Sequence, residues 1–214
     1  MTNHELKHTS LNQDNFFYDE MMAHPALFTH PAPKKIALIG DYAGILSEVL
    51  KHPNVQTVHC VGASAQEPTD NRVRYLPQTV TNWLATPHNT YDIMIQTQPA
   101  LTEIPLYQRL LESDGILIMP LPSSLLDIST LRIWYDTLTH IGFPAIQTLN
   151  FAQPSCMMGW RLLLMATKLP AFRRVREKEV FNRHFETRYY NYDIHKAALA
   201  LPEFVSFLFQ PDGL

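Results

Sequence analysis

Lys34–Gly62, KKIALIGDYAGILSEVLKHPNVQTVHCVG, decides the fold. An apolar run, Ile36 to Ile39, leads into a turn framed by Gly40 and Gly44. Ile45, Leu46, Val49 and Leu50 follow at helical spacing, and Pro53 and Asn54 break the helix before a second apolar run, Val58 to Val61. Two short apolar runs flanking a helical stretch predict a βαβ unit, whose strands must run parallel because the helix crosses over between them. Ligands of such units bind beyond the carboxyl ends of the strands, where the chain turns into the helix. The Gly40–Gly44 turn is therefore the candidate ligand loop. Its interior is Asp41, Tyr42 and Ala43, not the further glycines that let backbone N–H groups close on a ligand. A plain tight turn between strand and helix accounts for the two glycines equally well.

Working outward, helical spacing covers Phe16–Phe28 before Pro31 and Pro33. Tyr18 and His24 are its polar residues suited to chemistry, and a packed helix with a hydrogen-bonded tyrosine is the alternative reading. Beyond Gly62, strands are expected at Val73–Leu76, Tyr91–Ile95 and Gly115–Met119. Helices are expected at Thr79–Ala85, Ile104–Glu112 and Leu125–Ile141. Ala145–Phe151 and Trp160–Thr167 read as two strands of an antiparallel hairpin turning at Gln153-Pro-Ser-Cys156. Residues 172–186, FRRVREKEVFNRHFE, read as a solvated, mixed-charge helix. Alternating strands and helices with a terminal hairpin indicate an α/β fold: an open, mostly parallel sheet covered on both faces.

Composition narrows the functions. The 214 residues fit one substantial domain (16–214, ending in a helical tail) after a polar lead-in (1–15). A net charge of −3 gives no general attraction to nucleic acid or anionic membrane. No apolar run approaches the ~18 residues of a membrane span, and MTNHELKHTSLNQDN lacks the apolar core of an export signal. Cys60 and Cys156 form no disulfide framework, so a reduced, cytoplasmic chain is expected. His4-Glu-Leu-Lys-His8 matches the zinc motif HExxH, but a polar chain end with no third ligand favours a solvated tail. Seven glycines against 16 prolines is too few glycines for an ordinary set of ligand loops.

The tail, Arg188-Tyr-Tyr-Asn-Tyr-Asp-Ile-His-Lys-Ala-Ala-Leu-Ala-Leu-Pro-Glu-Phe204, resembles the closing motif of the spermidine synthase (polyamine aminopropyltransferase) family, RYYN…IH.AAFALP. Tyr18-Asp-Glu-Met-Met-Ala-His24 resembles that family's YHEMMAH helix. Leu38-Ile-Gly40 with Leu46-Ser-Glu-Val-Leu50 resembles its LIGGGDG..LREVL segment. Gly142-Phe143, Pro154-Ser155 and Met158-Gly-Trp160 resemble its hairpin. The matches are collinear over almost the whole chain. They imply a Rossmann-like sheet of the S-adenosylmethionine methyltransferase type. They also imply aminopropyl transfer from decarboxylated S-adenosylmethionine, a co-substrate, to putrescine, with no resident cofactor or metal.

On that resemblance, Tyr18 and His24 sit on the substrate-side helix, while Gly40, Asp41, Tyr42, Gly44, Gly62, Gln78 and Thr79 line the nucleoside site. Thr97 takes the place of the catalytic aspartate. The departures cluster on acids. The ribose-gripping acid is Gly62, the acids beside adenine are Gln78 and Thr79, and the D-x-x-D-P loop is Gln96-Thr-Gln-Pro99. Threonine can hydrogen-bond an amine but cannot serve as a carboxylate base. Asp19, Asp41 and Glu103 are the acids positioned to compensate. The family's amino-terminal β-domain corresponds at most to about fifteen polar residues. Three readings follow: a divergent aminopropyltransferase, an inactive family member that binds or assembles with a partner (a homodimer, or a complex with a full-length synthase), and a methyltransferase-like enzyme.

Overall fold

The computed structural model describes residues 14–62, 70–85, 90–122, 124–156 and 159–206; the HExxH stretch and the 1–13 part of the lead-in lie outside them. Helix α1 (Asn15–Thr29) precedes strand β1 (Lys35–Ile39), α2 (Ala43–Leu50), β2 (Thr57–Val61) and β3 (Val73–Leu76). Then come α3 (Val80–Ala85), β4 (Tyr91–Gln96), a 3₁₀ turn (Leu101–Glu103), α4 (Ile104–Leu110), β5 (Leu111–Pro120) and α5 (Ile128–Ile141). The hairpin β6 (Ala145–Ala152) and β7 (Trp160–Thr167) is followed by three short helices, α6 (Glu177–Phe181), α7 (Tyr192–Ala198) and α8 (Glu203–Ser206). One sheet takes all seven strands in the order β3-β2-β1-β4-β5-β7-β6. Strands β1 to β5 run parallel, and β7 is antiparallel to both neighbours. This is the mostly parallel, methyltransferase-type sheet with a terminal hairpin that the sequence predicts.

Alternation along buried strands builds two cores. Ile36 and Leu38 of β1, Ile93 and Ile95 of β4, and Ile116 and Ile118 of β5 face α1, α2 and the carboxyl-terminal segment. Ala37 and Ile39, Met94, and Leu117 and Met119 face the other way, onto α3, α4 and α5. With both faces covered, each strand reads as a continuous apolar run, which is why the runs were visible in the sequence. Helix α2 buries Ile45 and Val49 one turn apart and leaves Ser47 in solvent.

Three boundaries differ from expectation. Helix α4 passes straight into β5, which begins at Leu111, four residues before the apolar run at Gly115. Helix α5 begins at Ile128 because the Asp127 carboxylate accepts from the Thr130 N–H at 3.1 Å and fixes the first turn there. Residues 172–186 are not one helix; only Glu177–Phe181 is helical. Before it, Phe172 and Val175 pack on the core, the Arg176 N–H donates to the Phe28 carbonyl at 2.9 Å, and Arg176 Nη2 donates to the Leu27 carbonyl at 2.7 Å. Those contacts hold the segment extended across the end of α1, and tertiary docking overrides helical propensity there.

Candidate functional site

Strand order reverses between β1 and β4, so their carboxyl ends, Ile39 and Gln96, mark the crevice where an open α/β sheet binds ligands. Gly40 has φ +92°, and a Cβ there would stand 2.3 Å from Thr97 Oγ1. Only glycine satisfies both constraints. Thr97 Oγ1 accepts from the Asp41 N–H at 2.8 Å and donates to the Ile39 carbonyl at 3.2 Å. Its single proton is thus committed to the backbone. Next to it, buried Gln96 donates from Nε2 to Tyr107 Oη at 2.6 Å, and Tyr107 donates to the Glu103 carboxylate. Burial, then Glu103, pushes the Tyr107 phenol above its ordinary range. Glu103 is therefore occupied by Tyr107.

Tyr42 turns inward. It is 8% exposed within the α1–α2 core and hydrogen-bonded to the buried Cys60 thiol; burial first, then Cys60, raises its phenol. Gly62 directly follows β2 at φ +85°, with open space where a Cβ would be. Thr79 caps α3, its Oγ1 accepting from the Asn82 N–H at 3.2 Å, and half-buried Gln78 donates its N–H to the Leu76 carbonyl at 2.8 Å.

Across the crevice, α1 brings Tyr18 and Asp19 to the start of α2. A Cβ on Gly44 would fall 2.0 Å from Asp19 Oδ2, so the absence of a side chain at 44 lets the carboxylate lie against the first turn of α2. Burial, followed by the charges of Glu48, Asp41 and Glu20, pushes the Asp19 carboxyl up to about 6. Burial likewise raises the Tyr18 phenol, with Arg161 opposing and Asp19 and Asp41 adding to the shift. The Arg161 guanidinium lies 5.0 Å from the Tyr18 ring centroid, and its Nε donates to Gln153 Oε1 at 2.8 Å.

His24 belongs to a different cluster. Its Nδ1 is 2.9 Å from His52 Nε2 and its Nε2 is 3.1 Å from Glu48 Oε2, inside a nest of Phe28, Phe185 and Tyr190 rings. Burial keeps the His24 imidazole below its ordinary pKa despite Glu48. Tyr18, Asp19, Asp41 and Gly44 are thus brought together, whereas His24 sits in the α1–α2 packing. Glu20, also on α1, faces the tail: its carboxylate accepts from the N–H groups of Arg188 at 2.8 Å, Tyr189 at 2.9 Å and Tyr190 at 2.7 Å. Sequence reasoning missed Glu48 and Arg161. Glu48 stands four residues after Gly44 on the same helix, a spacing that could have flagged it; Arg161 gave no signal before β7 was placed against α1. Among the described residues, no group of three or more His, Cys, Asp or Glu side chains is placed to hold a metal ion, and no helix is long and apolar enough to cross a membrane.

Residues 15–66 match the model of the spermine/spermidine synthase domain. A polyamine aminopropyltransferase of Nitrosococcus oceani is 36% identical over 226 residues, covering 90% of this chain and 76% of that one. The chain belongs to the polyamine aminopropyltransferase family. A second aminopropyltransferase, from Alkalilimnicola ehrlichii, is 35% identical over 90% of this chain and 77% of its own length. The fold agrees: spermidine synthase from Thermotoga maritima superposes with a TM-score of 0.79 at 24% identity, over 92% of this chain and 75% of that one. A spermidine synthase in complex with the transition-state analogue AdoDATO also gives 0.79, at 23% identity. In this family member the two end motifs are mated: the glutamate of the α1 motif is the clasp for the backbone of the closing Arg188-Tyr-Tyr190.

Proposed function

We propose that this chain serves the amine half of its family's chemistry, binding a diamine or polyamine cation at Tyr18, Asp19 and Asp41 while transferring aminopropyl groups poorly. The observation that carries this reading is the acid cluster around Asp19. Asp41, Glu48 and Glu20 repel its charge, and an arriving ammonium would relieve that repulsion. Putrescine, with amine pKa values near ~10, stays charged at neutral pH and fits such a site.

Transfer asks for more. As the nitrogen of the amine attacks, the carbon–sulfur bond of decarboxylated S-adenosylmethionine breaks, methylthioadenosine leaves, and the amine proton passes to a base. At the end of β4, Thr97 supplies a hydroxyl already bonded to Asp41 and Ile39. Loss of a positioned base lowers a rate by ~10²–10⁴. Each charged hydrogen bond missing at Gly62, Gln78 and Thr79 weakens nucleoside binding by about 1.5–3 kcal/mol. One observation favours a second reading, an efficient divergent transferase: the Asp19 carboxyl, raised to about 6, is tuned for proton transfer near neutral pH.

Calorimetric titration with putrescine and with methylthioadenosine, followed by an assay for spermidine, separates the two. The first reading expects putrescine to bind, Asp19→Asn to weaken it about tenfold or more, and Thr97→Asp to raise spermidine formation. Turnover of about 1 s⁻¹ or faster by the unaltered chain, abolished in Asp19→Asn, supports the second. No putrescine binding overturns both. Assembly as a homodimer, or with a full-length synthase, belongs to the same proposal; sedimentation of the chain alone and mixed with such a synthase tests it.

A further inference from the structure

The amino ends of the strands, opposite the Gly40 turn, carry a cavity of about 470 Å³. Pro33, just before β1, and His52 to Asn54, just before β2, are in its wall, so it lies at the other end of the sheet from the crevice. Phe28, His52 and Phe185 supply aromatic surface. Phe28 and Phe185 are stacked at 22° with centroids 6.4 Å apart, and His52 lies 5.0 Å from Phe185. The charged part of the lining is mostly cationic. Lys51, Arg176, Lys178 and Arg183 face one carboxylate, Glu179, in a chain whose net charge is −3.

Several of these charges are incompletely matched. Among the described residues, Arg183 donates only to neutral acceptors, the Val180 carbonyl at 2.6 Å and Thr187 Oγ1 at 2.7 Å. Arg176 and Arg183 each leave a buried Nε–H with no hydrogen-bond partner among the described residues. Lys178 makes no ion pair among the described residues, whereas Lys51 is paired with Glu48 at 2.7 Å and Arg176 with Glu179. Burial first, then His24, Arg176 and Lys51, depresses His52 to about 2, which leaves it a neutral aromatic wall beneath a positive rim. The cavity falls within the ~300–1,000 Å³ of small-ligand sites. A guanidinium fork suits phosphate or carboxylate oxygens, and stacked rings suit a flat body.

We infer that this cavity is a binding site for a small aromatic anion, an aryl phosphate or aryl carboxylate. The inference does not depend on the proposed amine site. The test is calorimetric titration of the full chain with phenyl phosphate, inorganic phosphate and benzyl alcohol. Phenyl phosphate is expected to bind with Kd of about 0.1–1 mM, at least tenfold tighter than either fragment, and to weaken as salt is raised. Lys178→Glu, on an exposed position, and Arg183→Gln should each raise Kd about five- to tenfold, and Asp19→Asn should leave it unchanged. If Arg183→Gln lowers Tm, Lys178→Glu alone decides. Absence of saturation by about 10 mM, equal binding of benzyl alcohol, or an unaltered Kd in Lys178→Glu overturns the inference.

Discussion

A single methyl group on Gly44 would collide with the Asp19 carboxylate, whose oxygen lies 2.0 Å from where that carbon would stand. The obstacle is the far end of a side chain, so Gly44→Ala should fold normally and turn Asp19 aside. The expected result is an unchanged Tm within about 2 °C and a clear loss of putrescine affinity by calorimetry. Gly40→Ala is different, because φ +92° and the 2.3 Å approach of Thr97 Oγ1 both oppose it. It should cost about 1–3 kcal/mol, read as a lower urea midpoint. Gly40 was legible in the sequence because backbone geometry dictates it, whereas Gly44, inside α2, is required by the Asp19 carboxylate beside it. The inward turn of Tyr42 onto Cys60 was not, since a tyrosine beside a ligand loop reads the same whether it faces the core or the crevice. The pairing of Tyr107 with Glu103, four residues apart at the start of α4, was a spacing the sequence did offer.

Helix α1 works on two sides at once. Tyr18 and Asp19 look toward the crevice, while Glu20 and His24 are tied into the tail and α2. The YDEMMAH motif shows which residues stand together in the chain but not which side each one serves, so His24 was grouped with Tyr18 although its partners are His52 and Glu48. The three backbone N–H groups bonded to Glu20 lose their acceptor in Glu20→Ala. With each unsatisfied donor costing ~1–3 kcal/mol, the loss should be about 3 kcal/mol or more, measured by urea unfolding; Glu20→Gln, which keeps one acceptor oxygen, should lose less. Residues 172–186 show the limit of reading elements from local pattern. Their composition favours helix, and the Arg176 bonds to the end of α1 decide otherwise.

The whole sheet was readable because parallel strands buried on both faces leave uninterrupted apolar runs, and turns and crossovers then fix the order. The whole molecule also sets the response to pH. Burial first holds His24, His30, His52 and His195 below their ordinary value, so they are neutral when folded and take up protons when unfolded below pH ~6.5. Their contribution is complete above that pH and is lost progressively as pH falls below it toward the folded values, about 4 for His195 and about 2 for His52. Asp19 acts in the opposite sense: raised to about 6 when folded, it favours the native state below that pH and less so as pH rises from ~4 to about 6. Four imidazoles outweigh one carboxyl, so the urea midpoint should rise between pH ~5 and ~7. In Asp19→Asn the rise should be steeper, because the opposing group is gone.

The clasp of Glu20 on Tyr190 spans 170 positions of sequence, and a ribosome makes about 5–20 residues per second. For roughly 10–30 s during synthesis, the helix that carries Tyr18 and Asp19 must therefore wait for the segment that locks it, with the side that meets the tail uncovered. Newborn copies should depend on chaperones over that interval, and a stall shortly before codon 188 should yield nascent chains that proteases cut within the first helix.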